Sequence, residues 1–235
     1  MHRLPHEAQP DAAAWPARGR LPLERPAPGE PITGFRGELL FDEARRAPFG
    51  DASGILRALP DAVAVPADAE DAAALVRWAA ARRVALVPRG AGTGMPGGNV
   101  GAGVSVDLVT RFRSVGAIDP ARRTARVEPG VTLAALNAAT APHGLAFPVD
   151  PSSGERATFG GMIANNSGGS HTVRHGSTRR WVDALDVVLA DGTRVSTRRG
   201  ERDPHPRLRE ILERVGEAID PAREMIEARW PRVRK

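Results

Sequence analysis

The pattern of apolar and polar residues changes period several times along this chain, and each change predicts an element. Ala62 to Pro66 is a short apolar run and reads as a strand. Asp68 then suits a helix N-cap, with Glu70 and Asp71 in the first turn, where the helix dipole favours anions. The helical spacing runs to about Arg82 and predicts burial of Ala72, Leu75, Val76 and Ala79. Val84 to Val87 is a second apolar strand. Strand, helix and strand in this order imply a parallel pair joined by a crossover. A glycine-rich loop, Gly90 to Gly103, precedes a third strand through Val104, Val106 and Leu108.

Further along, Thr124 to Glu128 predicts another strand, closed by Pro129-Gly130. Thr132 caps a helix that covers Leu133, Leu136 and Ala139 and ends at His143-Gly144. Ala184 to Leu189 and Thr193 to Ser196 flank Asp191-Gly192, a strong hairpin signal. Pro206 to about Arg229 predicts a last helix, amphipathic through Leu208, Ile211, Leu212, Val215 and Ile219. No internal repeat is visible. The expected organisation is a disordered Pro/Ala/Arg-rich lead-in over 1–33, a first lobe over 34–119, a second over 120–200, and a C-terminal helical segment over 201–235. The division between lobes is placed near Asp119-Pro120.

Composition narrows the chemistry. The chain has no cysteine and no tyrosine. Disulfides, thiolate catalysis, cysteine-ligated iron–sulfur clusters and phenol acid–base chemistry are therefore excluded within it. No run approaches the roughly 18 apolar residues of a membrane span, and the N-terminus has no signal-type apolar block. The expectation is a cytoplasmic protein, with peripheral membrane association as the alternative. The net charge is +5, but the arginines are scattered in pairs among acids, and aromatics make up only 4%. That pattern fits an arginine-rich solvated surface, not a nucleic-acid footprint.

Candidate chemistry concentrates in two segments. The first is Pro88-Arg89-Gly90-Ala91-Gly92-Thr93-Gly94-Met95-Pro96-Gly97-Gly98-Asn99. Glycines let a ligand approach the amide N–H groups, and successive amides form an anion-binding concavity. A diphosphate is a natural guest. A Rossmann fingerprint is excluded because Gly90, Gly92 and Gly94 have the wrong spacing and Pro96-Gly97-Gly98 forbids a following helix. A Walker A loop is excluded because the loop has no lysine. A flexible hairpin without a ligand remains the plain alternative.

The second segment carries Pro148-Val149-Asp150-Pro151-Ser152-Ser153-Gly154, then Ala157 to His171, then Arg174-His175-Gly176. Thr158 is expected to cap a short helix over Gly160 to Asn165. Small residues there permit packing against a flat ligand. Asn165, Asn166, Ser167 and Ser170 supply neutral donors and acceptors suited to a heteroaromatic edge. His171 and His175 read as hydrogen-bonded structural residues ahead of catalysts, His143 as a capping residue, and Arg174 as a partner for phosphate, carboxylate or a surface acid. No catalytic triad or zinc motif is visible.

These two segments, in this order, resemble the FAD-binding domain of the vanillyl-alcohol-oxidase/PCMH superfamily, in particular its D-lactate dehydrogenase and glycolate oxidase branch. Phe49 to Gly54, followed by Leu59-Pro60, is similar to the family's entry segment. The likeness runs roughly from Phe49 to Thr197. It implies an α+β fold with two lobes, a small parallel βαβ lobe and a larger mixed or antiparallel sheet lobe with flanking helices, and FAD stretched between them. Gly90, Gly92, Thr93 and Gly94 would hold the pyrophosphate, flanked by Pro88, Arg89, Ala91 and Met95. Pro151, Ser152, Thr158, Gly160, Gly161, Asn165, Asn166, Gly168, Gly169, His171 and Gly176 would line the rest of the cofactor. Members of the family oxidise 2-hydroxy acids such as D-lactate, glycolate and D-2-hydroxyglutarate, or related alcohols, by hydride transfer to flavin N5.

Departures from the family pattern qualify these expectations. Some relatives tether FAD through a histidine in the first loop; here that loop has none, so FAD is expected to bind noncovalently. A substrate-binding cap domain, and in some members an iron–sulfur region, follows this domain in the family, and neither precedes Lys235. The expectation is thus a cofactor half acting with a cap or iron–sulfur partner: a fragment, a truncated reading frame or a subunit, with a non-catalytic FAD-binding role as the alternative. A cell-wall enolpyruvyl reductase on the same lobes fits the Pro148–Ser153 turn and the Asn165-Asn166 pair less well.

Overall fold

The computed structural model describes residues 24–202 and 204–231. Its first half is built on a four-stranded sheet in the order β1-β2-β4-β3. Strand β1 (Glu38–Leu40) leads through a short helix α1 (Glu43–Arg46) to β2 (Ala62–Val65). Helix α2 (Ala69–Arg82), β3 (Leu86–Arg89) and β4 (Val104–Asp107) follow. β1 runs antiparallel to β2, while β2 and β3 both run parallel to β4. β2 and β4 are buried at all four of their positions, as expected of strands covered on both faces.

The parallel pair expected from β2 and β3 is therefore not direct, because β4 lies between them. Gly103 permits this insertion. Its φ is +90°, and a Cβ there would lie 2.4 Å from the Ala85 carbonyl oxygen. Asp61 on the other side binds it twice: its N–H donates to the Gly103 carbonyl at 2.7 Å, and its carboxylate accepts from the Gly103 N–H at 3.0 Å.

Helix α2 begins where the sequence places it. The Asp68 carboxylate accepts from the Asp71 N–H at 2.9 Å. Its inward face is rotated from the expected one. Asp71, Ala73, Ala74, Leu75 and Ala79 are buried, whereas Ala72 and Val76 are half-buried. The cause is Asp71, whose carboxylate is drawn in by the N–H groups of Arg36 at 2.6 Å and Ala67 at 2.8 Å. The helix ends with Arg83 in the left-handed region, φ 56°, and with the Val84 N–H donating back to the Ala79 carbonyl. This two-bond C-terminal cap uses Val84, so β3 starts at Leu86 and not at Val84.

The lead-in expected to be disordered divides in two. Residues 1–23 lie outside the described residues. The rest is largely exposed but anchored: Ile32 is buried in the core of the first sheet, and the Trp78 indole N–H donates to Glu30.

The second half carries two antiparallel hairpins. β5 (Val115–Asp119) pairs with β6 (Thr124–Val127), so Asp119 ends β5 and Pro120 opens the turn that joins them. β7 (Ala184–Val188) pairs with β8 (Arg194–Arg198) across the expected Asp191-Gly192 turn. Among the described residues these are separate two-stranded sheets, both antiparallel. Their neighbours are α3 (Leu133–Thr140), α4 (Phe159–Ala164) and a single-turn helix α5 (Thr172–His175). A second core joins Val131, Leu133, Leu136, Val149, Ala157, Phe159 and Met162, with Phe147 edge-on to Phe159 at 5.0 Å between ring centroids.

The two halves touch through the β7–β8 turn. A Cβ on Gly192 would meet the Arg77 side chain at 2.3 Å, and the Arg194 guanidinium pairs with Glu70 on α2 at 2.9 Å. The last expected helix is broken. α6 (Pro206–Ile219) gives way to a single 3-10 turn at Asp220–Ala222 before α7 (Arg223–Arg229). Pro221 cannot supply the N–H that would continue α6. Neither helix buries a residue, so the apolar stripe of α6 is exposed at Leu212, Val215 and Ile219.

Candidate functional site

The first candidate loop leaves the C-terminal end of β3, and Arg89 sets its shape. The side chain of Arg89 is buried, and its guanidinium donates to the carbonyls of Pro48 at 3.0 Å, Phe49 at 3.4 Å, Asp51 at 2.8 Å and Asn99 at 3.1 Å. The Phe49 ring lies 5.7 Å beneath it. Burial pushes its pKa down, opposed by the charges of Asp51 and Asp107. Arg89 was expected among the cofactor contacts. Its guanidinium is instead an internal strut, which ties the entry segment to both ends of the loop.

Glycines then fit the loop to that segment. Gly92 has φ +75°, and a Cβ there would lie 2.5 Å from the Arg89 guanidinium. The Ser53 hydroxyl donates to the Gly92 carbonyl at 3.1 Å. Gly54 sits under Met95, and Gly97 under Leu56, each too close for a side chain. The Met95 side chain, expected near the cofactor, points out and is 70% exposed. Among the described residues, the N–H groups of Gly90, Gly92, Thr93 and Gly94 have no protein acceptor. The loop also contains no acidic residue between Arg89 and Gly103. Free donors without a competing carboxylate suit an anion.

The second segment meets the first at Thr158. A Cβ on Gly90 would lie 2.3 Å from Thr158 Oγ1 and 3.9 Å from the Gly161 amide nitrogen. Residues about seventy apart in sequence are thus joined across the start of the loop. Backbone bonds hold Thr158 in place: Leu133 N–H donates to Ala157, and Phe159 N–H donates to Val131. Thr158 precedes α4 in extended conformation, as expected of a cap, but its hydroxyl does not cap the helix. Thr158 Oγ1 is buried without a partner. A buried hydroxyl left unbonded costs about 1–3 kcal/mol unless something else binds it.

Other expected contacts prove to be engaged within the protein. Asn165 Nδ2 donates to the Gly161 carbonyl at 2.9 Å, and Asn166, with φ 46°, accepts from the Arg179 N–H at 2.9 Å. Each of these side chains commits one polar atom to the end of α4, and both residues are exposed. A Cβ on Gly160 would strike Pro129, one on Gly168 the Thr172 hydroxyl, and one on Gly169 the Asp150 backbone at 2.2 Å. Gly176 has φ +75° and ends α5. Gly160, Gly168, Gly169 and Gly176 are therefore required by the chain's own packing, whereas a Cβ on Gly161 would meet nothing closer than Thr158 Oγ1 at 3.5 Å. Pro151 and Ser152 line a depression of about 460 Å³ with Ser153, Gly154, Glu155 and Arg156. No residue of the first loop borders it.

His171 has a definite partner. Its Nδ1 lies 2.5 Å from Asp150 Oδ2, its backbone N–H donates to Asp150 Oδ1 at 3.1 Å, and the Ser170 hydroxyl donates to Oδ2 at 3.3 Å. Hydrogen bonds from His171 hold the Asp150 carboxyl below its usual range. The pair braces the Asp150–Ser153 turn against α5, which agrees with the structural reading of this histidine. His175 lies with its ring centroid 6.3 Å from that of His171, and its carbonyl accepts from the Trp181 indole. Arg174 is exposed.

Asn99 and Asp150 lie within the two candidate segments, but sequence reasoning assigned neither an individual role. Asn99 closes the first loop, and its position there was the only available signal. No group of three or more His, Cys, Asp or Glu residues is placed to hold a metal among the described residues. No described helix is long and apolar enough to cross a membrane.

Comparison with known proteins gives this geometry a context. Residues 60–198 match the FAD binding domain family model. D-2-hydroxyglutarate dehydrogenase of Pseudomonas putida is 37% identical over 166 residues, which are 69% of this chain and 16% of that protein. Glycolate oxidase subunit GlcD of Bacillus subtilis is 37% identical over 63% of this chain and 32% of its own length. D-lactate dehydrogenase of Archaeoglobus fulgidus is 39% identical over 55% of this chain and 29% of its own. The chain thus spans less than a third of each of these relatives. Among solved structures, 6-hydroxy-D-nicotine oxidase from Arthrobacter nicotinovorans superposes with a TM-score of 0.64 at 25% identity, over 74% of this chain and 38% of that one. Alkyldihydroxyacetonephosphate synthase shares the fold, with a TM-score of 0.60 at 24% identity over 69% of this chain and 35% of that one. The glycine loop with its free amides, the buried Thr158 hydroxyl facing it and the match over 60–198 lead to one conclusion: this chain belongs to the FAD binding domain family, with an α+β, PCMH-type fold.

Proposed function

We propose that the chain is the FAD-holding part of a flavin-dependent dehydrogenase of 2-hydroxy acids, of the D-lactate, glycolate or D-2-hydroxyglutarate type. The observation that carries the reading is the meeting of Gly90 with Thr158 and Gly161. It brings a row of free loop amides beside a buried hydroxyl that has no partner. The residues present suit FAD. In this reading Gly90, Gly92, Thr93 and Gly94 donate to the pyrophosphate, with Pro88 and Ala91 beside them. Thr158 and Gly161 contact the cofactor on the opposite wall. Pro151, Ser152 and Gly176 remain candidate contacts further along.

FAD supplies the acceptor for the two electrons that leave C2 of a hydroxy acid as it becomes a 2-oxo acid. The chain's own part is to bind and orient. Arg89 fixes the loop before any ligand arrives, so less ordering is left for binding to bring about. With no cysteine in the chain and no histidine in the loop, the binding is noncovalent. A cap domain or subunit supplies the substrate site in this reading, and an iron–sulfur partner is the candidate electron acceptor. The cysteine-free composition suits a cytoplasmic location.

The test is reconstitution. The folded chain is mixed with FAD and passed through gel filtration, and flavin absorption is expected to travel with the protein. Loss of all flavin from a correctly folded protein refutes the reading. Anaerobic mixing of the flavin-loaded chain with D-lactate, glycolate and D-2-hydroxyglutarate then tests the substrate class. Bleaching by one of them supports it, and bleaching only after a cap domain is added assigns substrate binding to that domain.

A further inference from the structure

We propose that Asn99 is a ligand-binding residue, whose side-chain amide pairs with a neutral group of the bound cofactor that both donates and accepts a hydrogen bond. The inference rests on the FAD-binding reading above and adds a residue to it. Asn99 ends the first loop. Its backbone is fixed, because the carbonyl accepts from the buried Arg89 guanidinium at 3.1 Å and the next residue, Val100, donates to Gly97. Its side chain turns towards the bare face of Gly94, where Oδ1 lies 3.9 Å from the position a Cβ would occupy. Both Nδ2 and Oδ1 are buried, and neither has a partner.

An amide with both ends unpaired is unfavourable in the empty protein. A leucine of similar size would bury there without that cost, so the polar head has to be accounted for by something that binds it. The kind of partner follows from the inventory of an amide. It offers N–H donors on one side and a carbonyl acceptor on the other. A phosphate oxygen would satisfy Nδ2 alone and leave Oδ1 bare. A hydroxyl satisfies both, and so does the edge of a heterocycle that carries a donor beside an acceptor. FAD offers such groups in its flavin half, as ribityl hydroxyls and the pyrimidine edge, and in its adenosine half, as ribose hydroxyls and the adenine edge. The amide is placed beside the glycine face that the loop leaves open, where a cofactor resting on the amides of Gly92 to Gly94 would pass.

The experiment compares the parent chain with Asn99→Leu and Asn99→Ala. Affinities for FAD, FMN and ADP are measured by titration, and the unfolding midpoint of the ligand-free protein is followed by circular dichroism. Both variants are expected to bind FAD about tenfold to a hundredfold more weakly, as befits loss of a paired amide. The ligand-free midpoint of Asn99→Leu is expected to stay level or rise, which a purely structural role for the amide would not produce. Weakening shared by FMN assigns the partner to the flavin half, and weakening shared by ADP assigns it to the adenosine half. Unchanged FAD affinity in Asn99→Ala, or a lower ligand-free midpoint in Asn99→Leu with unchanged affinity, overturns the proposal while leaving the FAD-binding reading intact. A parent chain that is folded but binds none of the three ligands overturns both.

Discussion

Replacing Arg89 with methionine removes the strut of the glycine loop while keeping the length and apolar stem of the side chain. Four hydrogen bonds are lost, to the carbonyls of Pro48, Phe49, Asp51 and Asn99. Bonds from a charged donor contribute about 1.5–3 kcal/mol each at best. One of these is long, at 3.4 Å, and burying the guanidinium has its own desolvation cost of several kcal/mol. Some freed carbonyls will take water, since the surroundings are only part-buried. The balance is a loss of about 3–5 kcal/mol. For a chain of this size it lowers the thermal midpoint by roughly 6–20 °C. FAD affinity should fall as well, because the entry segment and the loop are no longer held in register. Arg89→Lys should recover only part of either loss, since an ammonium cannot reach four carbonyls in a plane. The assay is thermal unfolding followed by circular dichroism, with FAD titration of the same samples. An Arg89→Met variant that melts within about 2 °C of the parent, on the same scaling, would show that the carbonyls do not depend on this side chain.

Other positions test the remaining joints. Gly90→Ala places a methyl 2.3 Å from Thr158 Oγ1. It should cost about 1–3 kcal/mol by overpacking, and adding Thr158→Ala should restore most of that loss in urea denaturation; independent, additive losses would disprove the contact. Asp71→Ala strips the buried carboxylate from the N–H groups of Arg36 and Ala67, and a decrease of about 3–5 kcal/mol in unfolding free energy is expected. Asp191 accepts from Thr193 and from Arg207 of α6, and these bonds hold its pKa near 2, below the ordinary 3.8. A depressed carboxylate stabilises the fold at pH values above 3.8, and that contribution disappears as the pH falls through about 2. Amide exchange at the β7–β8 turn should therefore accelerate over this window in the parent and show no such step in Asp191→Asn.

The first glycine loop was legible in the sequence because glycine spacing is a local property. Gly90, Gly92 and Gly94 with Pro96 exclude a helix whatever surrounds them. The cap at Asp68 and the turn at Asp191-Gly192 were legible for the same reason, since each depends on residues only a few positions away. The family likeness, read from the order of the two loops, is matched by the family model over 60–198. Properties that depend on distant partners were not legible. Periodicity placed the inward face of α2 one residue off, because Asp71 is drawn in by backbone donors at Arg36 and Ala67. No apolar pattern says that β4 enters between β2 and β3. Gly103 allows it, but only the backbones of Asp61 and Ala85 on either side make the space that it must fit.

The same division runs through the site. By itself the sequence determined which residues are small enough to admit a ligand and which are polar enough to bind one. The tertiary structure decided which of those polar groups are already used. The Arg89 guanidinium is used inside the protein, and Asn165, Asn166 and His171 each commit one side-chain atom there, whereas Thr158 and Asn99 have buried side-chain polar atoms and no partners for them. A residue's capacity to bond is written in its type, but whether that capacity is free depends on what the fold places within about 3 Å of it.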